Sequence, residues 1–294
     1  MSPSPDLAGR VALVAGGTRG AGRGIAVELG AAGATVYVTG RTTRTSPSPM
    51  QRSETIEETA DLVEQAGGTG VAIRVDHSRG DEVADLMAVI AADHGRLDIL
   101  VNDVWGGDPL TQWNVPFWEH DLGHGLALLH QAIDTHLITS WHAAPLLRKS
   151  TSGLIVEVTD GVSDRYRQSL FYDLAKASVI RIAKGLAEDL RDHEVAAIAI
   201  SPGFLRSEAV LDHFGVTAET WRDAITTDPH FAQSESPRYI GRAVAALAAD
   251  PDKMQASGTA TATWEVVERY GFTDVDGTRP DWGRHMRTEL GLEP

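Results

Sequence analysis

The segment VALVAGGTRGAGRGIA, residues 11–26, contains an apolar strand, a glycine-rich turn and the start of a helix. Gly16, Gly20 and Gly22 follow a G-x-x-x-G-x-G spacing, which leaves the backbone free to approach a phosphate closely. The amino end of the helix adds free N–H groups and a positive dipole, and both favour an anion. Because the turn lies between a strand and a helix, it predicts a site for the pyrophosphate of a dinucleotide. The alternative is a tight turn that binds no ligand.

Short apolar segments alternate with amphipathic segments along the rest of the chain. The expected strands are Val11–Ala15, Thr35–Thr39, Gly70–Val75, Asp98–Asn102, Leu154–Val158, Val195–Ser201 and Gly258–Thr263. The clearest expected helices are Gly20–Ala32, Thr55–Ala66 and Asp81–His94. This alternation predicts an α/β, Rossmann-type doubly wound fold with a mostly parallel seven-stranded sheet and helices on both faces. No repeat or change of composition marks a second domain, so residues 1–294 are expected to form a single dinucleotide-binding domain.

The charge balance restricts the kinds of partner that the protein has. Its 294 residues include 41 acidic and 26 basic side chains, for a net charge of -15. Nucleic acids and anionic membrane surfaces require a basic face, so neither is an expected partner. The chain has no cysteine, which excludes disulfides, thiolate metal sites and a cysteine nucleophile. The start, MSPSPDLAGR, lacks the hydrophobic stretch of a signal peptide, and no apolar run reaches the length of a membrane span, so we expect a cytoplasmic protein.

Three segments interrupt the alternation of strands and helices. Residues 42–53 are rich in Ser and Pro and are expected to form an exposed loop. Residues 104–125 and 203–237 are long and follow the fourth and sixth strands, at the sheet edge where ligands bind in this class of fold. Their aromatic residues are Trp105, Trp113, Phe117, Trp118, Phe204, Phe214, Trp221 and Phe231. We expect both loops to cover one pocket, with Trp105 in its wall; the alternative is that these aromatics only pack the loops onto the body.

The end of the second strand indicates which dinucleotide is bound. Sites for NAD commonly place an acidic residue here to hold the ribose 2′-hydroxyl. The sequence instead has Arg41 followed by Thr42, and Arg19 follows Thr18 in the glycine-rich turn. Guanidinium groups pair with phosphate in a two-point geometry, so two arginines at this position favour the 2′-phosphate of NADP(H). NAD(H) remains the alternative.

Tyr172 and Lys176 are four residues apart and therefore adjacent on one face of a helix. A free tyrosine has a pKa of about 10 and is a poor acid near neutrality. A neighbouring ammonium stabilises the phenolate and is expected to lower the pKa of Tyr172. The phenol then donates a proton to a carbonyl oxygen while hydride arrives at the carbonyl carbon. The pair alone is common on solvated helices, and its weight comes from its place after a fifth strand.

These motifs together resemble the short-chain dehydrogenase/reductase family over nearly all of residues 8–270. The supporting segments are the glycine-rich turn, IRVDHS, RLDILVN, the Tyr172–Lys176 pair and SPGFLRS. GATVYVTGR, GRLDILVN and NVPFWE indicate the nearest similarity to one branch of that family. The resemblance implies an oxidoreductase that acts on a small-molecule carbonyl or alcohol, and a homodimer or homotetramer formed through the helices near residues 126–149 and 170–191.

The resemblance also implies roles for single residues. Asp76 is expected to hold the adenine amino group, with the backbone of His77 beside it. Asn102 and Val104 are expected to line the adenosine ribose, and Lys176 to bind the nicotinamide ribose. The residues expected to hold the carboxamide and the diphosphate are Pro202, Gly203, Leu205 and Ser207.

The sequence departs from the family pattern at three places. The family has Asn-Asn-Ala-Gly after the fourth strand, where this chain has Asn-Asp-Val-Trp at residues 102–105. Asp160 occupies the position of the catalytic serine, with Thr159 beside it, and Ala132 stands where a helical asparagine relays protons. An ionised carboxylate cannot donate a hydrogen bond to a substrate, and it opposes ionisation of Tyr172.

Three arrangements of this position stay open from the sequence. Thr159 supplies the hydroxyl, or a desolvated Asp160 stays protonated and donates, or Asp160 faces solvent or a cation while Tyr172 acts alone. We favour Tyr172 as the essential acid with Asp160 in the pocket wall. The competing function is a nucleotide-binding sensor or scaffold that has lost catalysis. A nucleotide-sugar dehydratase or epimerase is less favoured, since no second substrate domain is evident.

The eleven histidines do not predict a metal site. His130, His136 and His142 recur every six residues, which does not place them on one helical face, and no H-E-x-x-H motif is present. We expect no bound metal. We also expect a fairly apolar or aromatic substrate, and a tail after Gly271 that either covers the pocket or reaches a neighbouring subunit.

Overall fold

The computed structural model describes residues 5–48 and 50–294, and in these residues seven strands form one sheet in the order β3-β2-β1-β4-β5-β6-β7. The strands are β1 (Val11–Ala15), β2 (Thr35–Gly40), β3 (Thr69–Arg74), β4 (Ile99–Asn102), β5 (Gly153–Val158), β6 (Val195–Ser201) and β7 (Ala260–Ala262). Every adjacent pair is parallel. The predicted doubly wound fold is confirmed, and each expected strand is present with small differences at its ends.

Helices connect the strands and cover both faces of the sheet. The α-helices are α1 (Gly20–Ala31), α2 (Ile56–Gln65), α3 (Gly80–His94), α4 (Leu122–Leu129), α5 (Thr135–Leu147), α6 (Leu170–Asp189), α7 (Glu208–Phe214), α8 (Pro237–Ala249), α9 (Thr263–Tyr270) and α10 (Trp282–His285). A π-helical turn, His130–Asp134, joins α4 to α5, and a second one, Met286–Leu290, continues α10. No helix of the described chain is both long enough and apolar enough to cross a lipid bilayer.

The core explains why the strands are apolar throughout. All five residues of β1 are buried, because successive side chains point to opposite faces and both faces are covered. Ala12 and Val14 pack toward α1 and α8, whereas Val11 and Leu13 pack toward α3 and α5. Burial of this kind contributes roughly 25 cal/mol for each Å² of apolar surface removed from water.

The strand order places the carboxyl ends of β1 and β4 side by side, and the chain winds away from this point in both directions. A crevice therefore opens at the carboxyl edge of the sheet, which is where ligands bind in doubly wound folds. The segments that follow Ala15, Gly40, Asn102, Val158 and Ser201 all leave the sheet at this edge. Residues far apart in the chain are thereby brought to one site.

The expected exposure of the loop over residues 42–53, after β2, is found only in part. Thr42, Thr43 and Ser48 are buried, whereas Arg44, Thr45, Pro47, Gln51 and Ser53 are exposed. It folds back as a short turn in which the backbone N–H groups of Thr43 and Ser46 each bond to the other residue's carbonyl. The loop then leads into α2, whose first turn is capped by the Thr55 hydroxyl. The buried hydroxyls explain the composition, because short polar side chains satisfy turn backbone.

Candidate functional site

A cavity of about 870 Å³ lies at the carboxyl edge of the sheet. Its size is within the range of small-molecule binding sites. Of the residues that the sequence singles out, it brings together Gly16, Thr18, Arg19, Gly20, Arg41, Thr42, Asp76, His77, Val104, Trp105, Thr159, Asp160, Tyr172, Lys176, Pro202, Gly203, Leu205 and Ser207. Gly22 and Asn102 do not line it.

The glycine-rich turn forms the floor of this cavity between β1 and α1. Gly16 has φ of +88°, and a Cβ at this residue would lie 2.3 Å from the carbonyl oxygen of Asp103. Gly22 serves packing, since its Cβ would lie 2.5 Å from the carbonyl oxygen of Gly16. The Gly20 N–H, at the start of α1, donates to the Glu208 carboxylate at 2.8 Å. This amide therefore already binds an anionic group, as expected of a helix amino end.

Asn102 supports the sheet edge from inside the protein. It is fully buried, and its side-chain amide donates to the Ser140 hydroxyl at 2.9 Å and to Glu157 Oε1 at 2.7 Å. The expectation that Asn102 lines the ribose is therefore not met by its side chain, which points away from the cavity. A buried amide of this kind positions the loop that follows β4.

The arginines at the adenosine end differ in their attachments. Arg41 is partly exposed, and its nearest carboxylate is Asp76 at 3.9 Å. Arg19 donates to the Ser48 hydroxyl at 3.1 Å and lies 3.5 Å from the Glu54 carboxylate. Burial lowers the pKa of Arg19 from its usual value, and the Glu54 charge opposes this change. Arg41 is thus the more available cation of the two.

Arg52 is a third cation in the cavity wall, and the sequence analysis missed it. It bonds Glu54 at 2.6 Å and Asp212 at 2.9 Å, so its charge is largely compensated. The Asp76 carboxylate accepts hydrogen bonds from the backbone and the hydroxyl of Ser78 at 3.0 and 2.7 Å. Burial favours a higher pKa for Asp76, but these bonds outweigh it, and the pKa lies below the usual value. Asp76 is an ionised acceptor facing the cavity.

Tyr172 donates its hydroxyl hydrogen bond to Asp160 Oδ2 at 2.7 Å. Burial raises the pKa of Tyr172 far above its ordinary value, and the Asp160 charge raises it further. The expectation that Asp160 opposes ionisation of Tyr172 is therefore confirmed, whereas the expected net lowering of this pKa is wrong. The phenol is held neutral by desolvation and by its carboxylate acceptor, and the Arg167 charge only partly opposes these effects.

Thr159 and Lys176 are connected through the backbone. The Thr159 hydroxyl donates to the carbonyl oxygen of Lys176 at 2.9 Å, so it stabilises the strand–helix contact and does not face the phenol. The Lys176 ammonium lies 3.9 Å from the centre of the Trp105 ring and 5.6 Å from that of Tyr172. Burial lowers the pKa of Lys176, and the Asp160 charge partly restores it. Of the three arrangements left open above, this structure does not contain the one in which Thr159 faces the phenol.

Aromatic side chains enclose the phenol. Trp105 meets Tyr172 edge to face, with ring centres 5.5 Å apart, and Trp113 is tilted against it at 4.8 Å. From the second loop Phe204 lines the cavity, whereas Trp221 and Phe231 are buried in a separate cluster. Trp105 and Phe204 thus take the pocket-lining role considered above, whereas Trp221 and Phe231 take the alternative role of packing their loop. Phe117 and Trp118 remain exposed.

Several wall residues escaped the sequence analysis. Asp103 lies beside the glycine-rich turn, and burial raises its pKa to about 7 while the Lys176 charge lowers it. The acidic residue in the Asn-Asp-Val-Trp segment was the one feature of the sequence that could have identified Asp103 as a wall residue. The C-terminal segment also reaches the cavity, through Trp282, Met286, Leu290, Leu292 and Pro294. It is held there by hydrogen bonds from the loop after β5 to the last two residues. The tail after Gly271 thus takes the first of its two expected placements, over the pocket, although the sequence singled out none of these residues.

The described residues contain no cluster of three or more His, Asp or Glu side chains arranged to hold a metal ion. His77 and His136 are buried within the protein. His77 contacts the hydroxyls of Thr39 and Thr139 at 2.8 Å each, and His136 contacts Glu157 at 2.6 Å. Both nitrogens of His77 and Nδ1 of His136 are thus satisfied by protein groups.

Comparison with known proteins places this geometry in context. A family model described as short chain dehydrogenase matches residues 10–213. Dehydrogenase/reductase SDR family member 1 from Mus musculus is 33% identical over 276 residues, which cover 92% of this chain and 85% of that protein. The Homo sapiens protein of the same name is 31% identical over 279 residues, covering 92% and 84%. Among solved structures, a short chain dehydrogenase from Mycobacterium thermoresistibile superimposes with a TM-score of 0.76 at 24% identity, covering 95% of this chain and 93% of that one, which is a likeness of fold.

Proposed function

Because the chain belongs to the short-chain dehydrogenase family, we propose that it is an NADP(H)-dependent oxidoreductase that interconverts a carbonyl and an alcohol, with Tyr172 as the general acid and base. One observation carries the proposal. The Tyr172 phenol and the Lys176 ammonium line the same cavity as the glycine-rich turn. A proton donor, a cation and a phosphate cradle in one cavity are the parts that carbonyl reduction by a dinucleotide requires.

The cavity fits a dinucleotide on physical grounds. A side chain at Gly16 would collide with backbone, so the turn is shaped for close approach, and the Gly20 N–H already holds a carboxylate. The pyrophosphate would take the place of Glu208 at this amide. Asp76 is an acceptor for the adenine amino group, and Arg41 is a cation for a 2′-phosphate, with Arg19 behind it. When bound, the reduced cofactor supplies hydride to the carbonyl carbon.

Tyr172 is proposed to supply the proton. The phenol is protonated at physiological pH and so holds the proton that the carbonyl oxygen needs, although its raised pKa makes it a weaker acid than a free tyrosine. Asp160 now accepts the phenol hydrogen bond, and the substrate oxygen would have to replace this acceptor. Lys176 would orient the nicotinamide ribose and keep positive charge near the phenolate that forms.

The walls favour a small molecule of apolar or aromatic character. Trp105 borders the cavity beside the phenol, and Trp282, Met286 and Leu290 also line the cavity, so an apolar ligand would bury favourable surface there. A homodimer or homotetramer is part of the proposal. Apolar side chains on α4, α5 and α6 are exposed in the isolated chain, and the largest exposed fraction is 74% for Trp141. A patch of this kind is typical of a protein–protein interface.

A sensor or scaffold without catalysis is the second candidate. The hydrogen bond from Tyr172 to Asp160 favours it, because a carboxylate there competes with the substrate for the phenol. A dinucleotide would still bind, since the glycine-rich turn and Arg41 are independent of this contact.

Turnover and binding measured on the same preparation separate the two candidates. The protein is mixed with NADPH or NADH and a panel of aliphatic and aromatic aldehydes and ketones, and loss of reduced-cofactor absorbance is followed. Affinity is measured in parallel by tryptophan fluorescence. Substrate-dependent oxidation of NADPH supports the oxidoreductase. Tight NADPH binding with no turnover across the panel supports the sensor, and absence of binding to either dinucleotide contradicts both.

A further inference from the structure

A fully buried acid–base pair lies beneath the catalytic end of the cavity. His136 on α5 and Glu157 on β5 are 2% and 0% exposed, and His136 Nδ1 lies 2.6 Å from Glu157 Oε2. Asn102 donates to the other carboxylate oxygen at 2.7 Å. Burying charged or strongly polar groups in a core is costly, and an apolar pair of similar volume is often at least as stable. Stability alone therefore does not account for this pair.

A second, small cavity connects His136 with the catalytic lysine. Its volume is about 10 Å³, and His136, Lys176, Asp103 and Ala132 contribute to its lining. Most of its lining is apolar, and Asp103, His136 and Lys176 supply the charged or ionisable side chains. A space of this size is near the minimum that accommodates one water molecule. The small side chain of Ala132, one helical turn before His136, leaves room for it. One water here would have polar partners on both sides.

The hydrogen bonds of His136 determine what its second nitrogen does. Nε2 is 3.4 Å from the carbonyl oxygen of Val104, which is long for an N–H···O bond. If Nδ1 keeps its proton for Glu157, Nε2 has a lone pair when the ring is neutral and an N–H when it is charged. The proton on Nε2 is thus the one that is free to move.

We propose that His136 is a positioning residue that exchanges a proton with Lys176 through one water, and that Glu157 selects the histidine tautomer. In this step the Nε2–H bond of imidazolium breaks and an O–H bond forms on water. Another O–H bond of that water breaks, and an N–H bond forms on Lys176 Nζ. No electrons are transferred, and the net change is one proton moved from imidazole to amine. The proposal rests on the proposed function, since the restored ammonium is the group that stabilises the phenolate of Tyr172.

Three ionisable groups face His136. Glu157 lies on β5, Asp103 follows β4 and Lys176 lies on α6. His77 also faces the pair, and burial lowers its pKa to about 4, with a further decrease caused by His136. His77 therefore stays neutral at physiological pH and does not compete for the proton.

Glu157→Gln tests the proposal because it keeps the volume and reverses the hydrogen bond. The glutamine carbonyl accepts from Asn102, and its amide donates to Nδ1, which forces the proton of neutral His136 onto Nε2. We expect kcat to fall roughly tenfold, as is usual when a group that orients a catalytic side chain is changed. The pH dependence of kcat should shift, while the KM for NADPH stays within about twofold. His142→Gln, on the same helix, is the matched control and should leave both unchanged.

A measurement without cofactor separates this proposal from the proposed function. Nitrogen NMR of isotope-labelled histidine reports the tautomer of His136 in the free protein. The proton should reside on Nδ1 in the unmodified protein and on Nε2 in Glu157→Gln, and Lys176→Met should shift the His136 titration. Unchanged His136 signals in Lys176→Met, or a Glu157→Gln pH profile identical to that of His142→Gln, would overturn the relay even if carbonyl reduction is found. If the glutamine variant does not fold, Lys176→Met decides alone.

Discussion

The two ends of the cavity are built in different ways. The adenosine and phosphate end combines the glycine-rich turn between β1 and α1, where backbone amides and close approaches at glycine shape the cavity, with Arg41 after β2 and Asp76 after β3. The catalytic end is assembled from the loop after β4, the end of β5, α6 and the C-terminal segment. Backbone recognition depends little on which side chains are present, whereas proton chemistry depends on single groups. Departures from the family pattern therefore concentrate at the catalytic end.

The largest expected effect tests whether the catalytic end is active at all. Tyr172→Phe removes the proton donor and should lower turnover by roughly a thousandfold, within the range for loss of a general acid. NADPH affinity should stay within about twofold, because the other end of the cavity is untouched. Tyr166→Phe, on the exposed loop before α6, is the control. Full turnover in Tyr172→Phe would show that the catalytic end does not depend on this single side chain, and would contradict the difference drawn between the two ends.

Arg41→Ala tests the adenosine end. A charge-assisted bond to phosphate contributes about 1.5–3 kcal/mol, so the Kd for NADPH should rise by about 10- to 100-fold. The Kd for NADH, which has no 2′-phosphate, should change little. Arg44→Ala removes an exposed arginine that pairs with Asp61 and should affect neither cofactor. Equal weakening of both dinucleotides would show that Arg41 does not select the phosphate.

Asp160→Ser tests the side chain that departs from the family at the catalytic end. It removes the competing acceptor and a negative charge, so the pKa of Tyr172 should move down toward its ordinary value. Turnover on simple ketones should rise by up to about tenfold in rate, which corresponds to about 1.4 kcal/mol. Ultraviolet titration of the phenolate, with Tyr172→Phe as the reference, measures the pKa. A fall of several orders of magnitude in turnover would mean that Asp160 itself takes part in the reaction.

Asp103→Asn tests the boundary between the two ends of the cavity. Its expected effect is the smallest of the four variants. Burial raises the pKa of Asp103 to about 7, so between its ordinary pKa and this value the folded protein holds a proton that the unfolded chain has released. The free energy of unfolding therefore falls as pH rises through this window. Asp103→Asn removes that dependence, so the free energy of unfolding that it gains should be greater at pH 8 than at pH 5. We expect a difference of only about 1 kcal/mol, because the group faces an open cavity where solvent screens its charge. Urea unfolding at both pH values measures this difference. An equal gain in the free energy of unfolding at pH 5 and pH 8 would contradict a raised pKa for Asp103.

The fold could be predicted from the sequence, and most of the residues that the sequence singled out line one cavity. The reasons are local. Apolar strands buried on both faces are continuous in sequence, and Tyr172 and Lys176 follow from helical spacing. Wrong or missing predictions concern contacts between distant segments. The hydrogen bond from Tyr172 to Asp160 joins residues twelve apart across a loop, and the hydrogen bond from Arg19 to Ser48 spans 29 residues. No periodicity encodes such distances.

The sequence by itself determined the alternation of strands and helices, the phosphate turn and the presence of a phenol and an ammonium on one helix. Those features depend on backbone dihedrals and on residues within one turn of each other, so the chain carries them locally. Only the tertiary structure decided that Asp160 accepts from Tyr172, that Asp103 borders the turn and that the C-terminal segment closes one wall. Desolvation and the distance between charges set these properties, and both arise only when remote segments pack together.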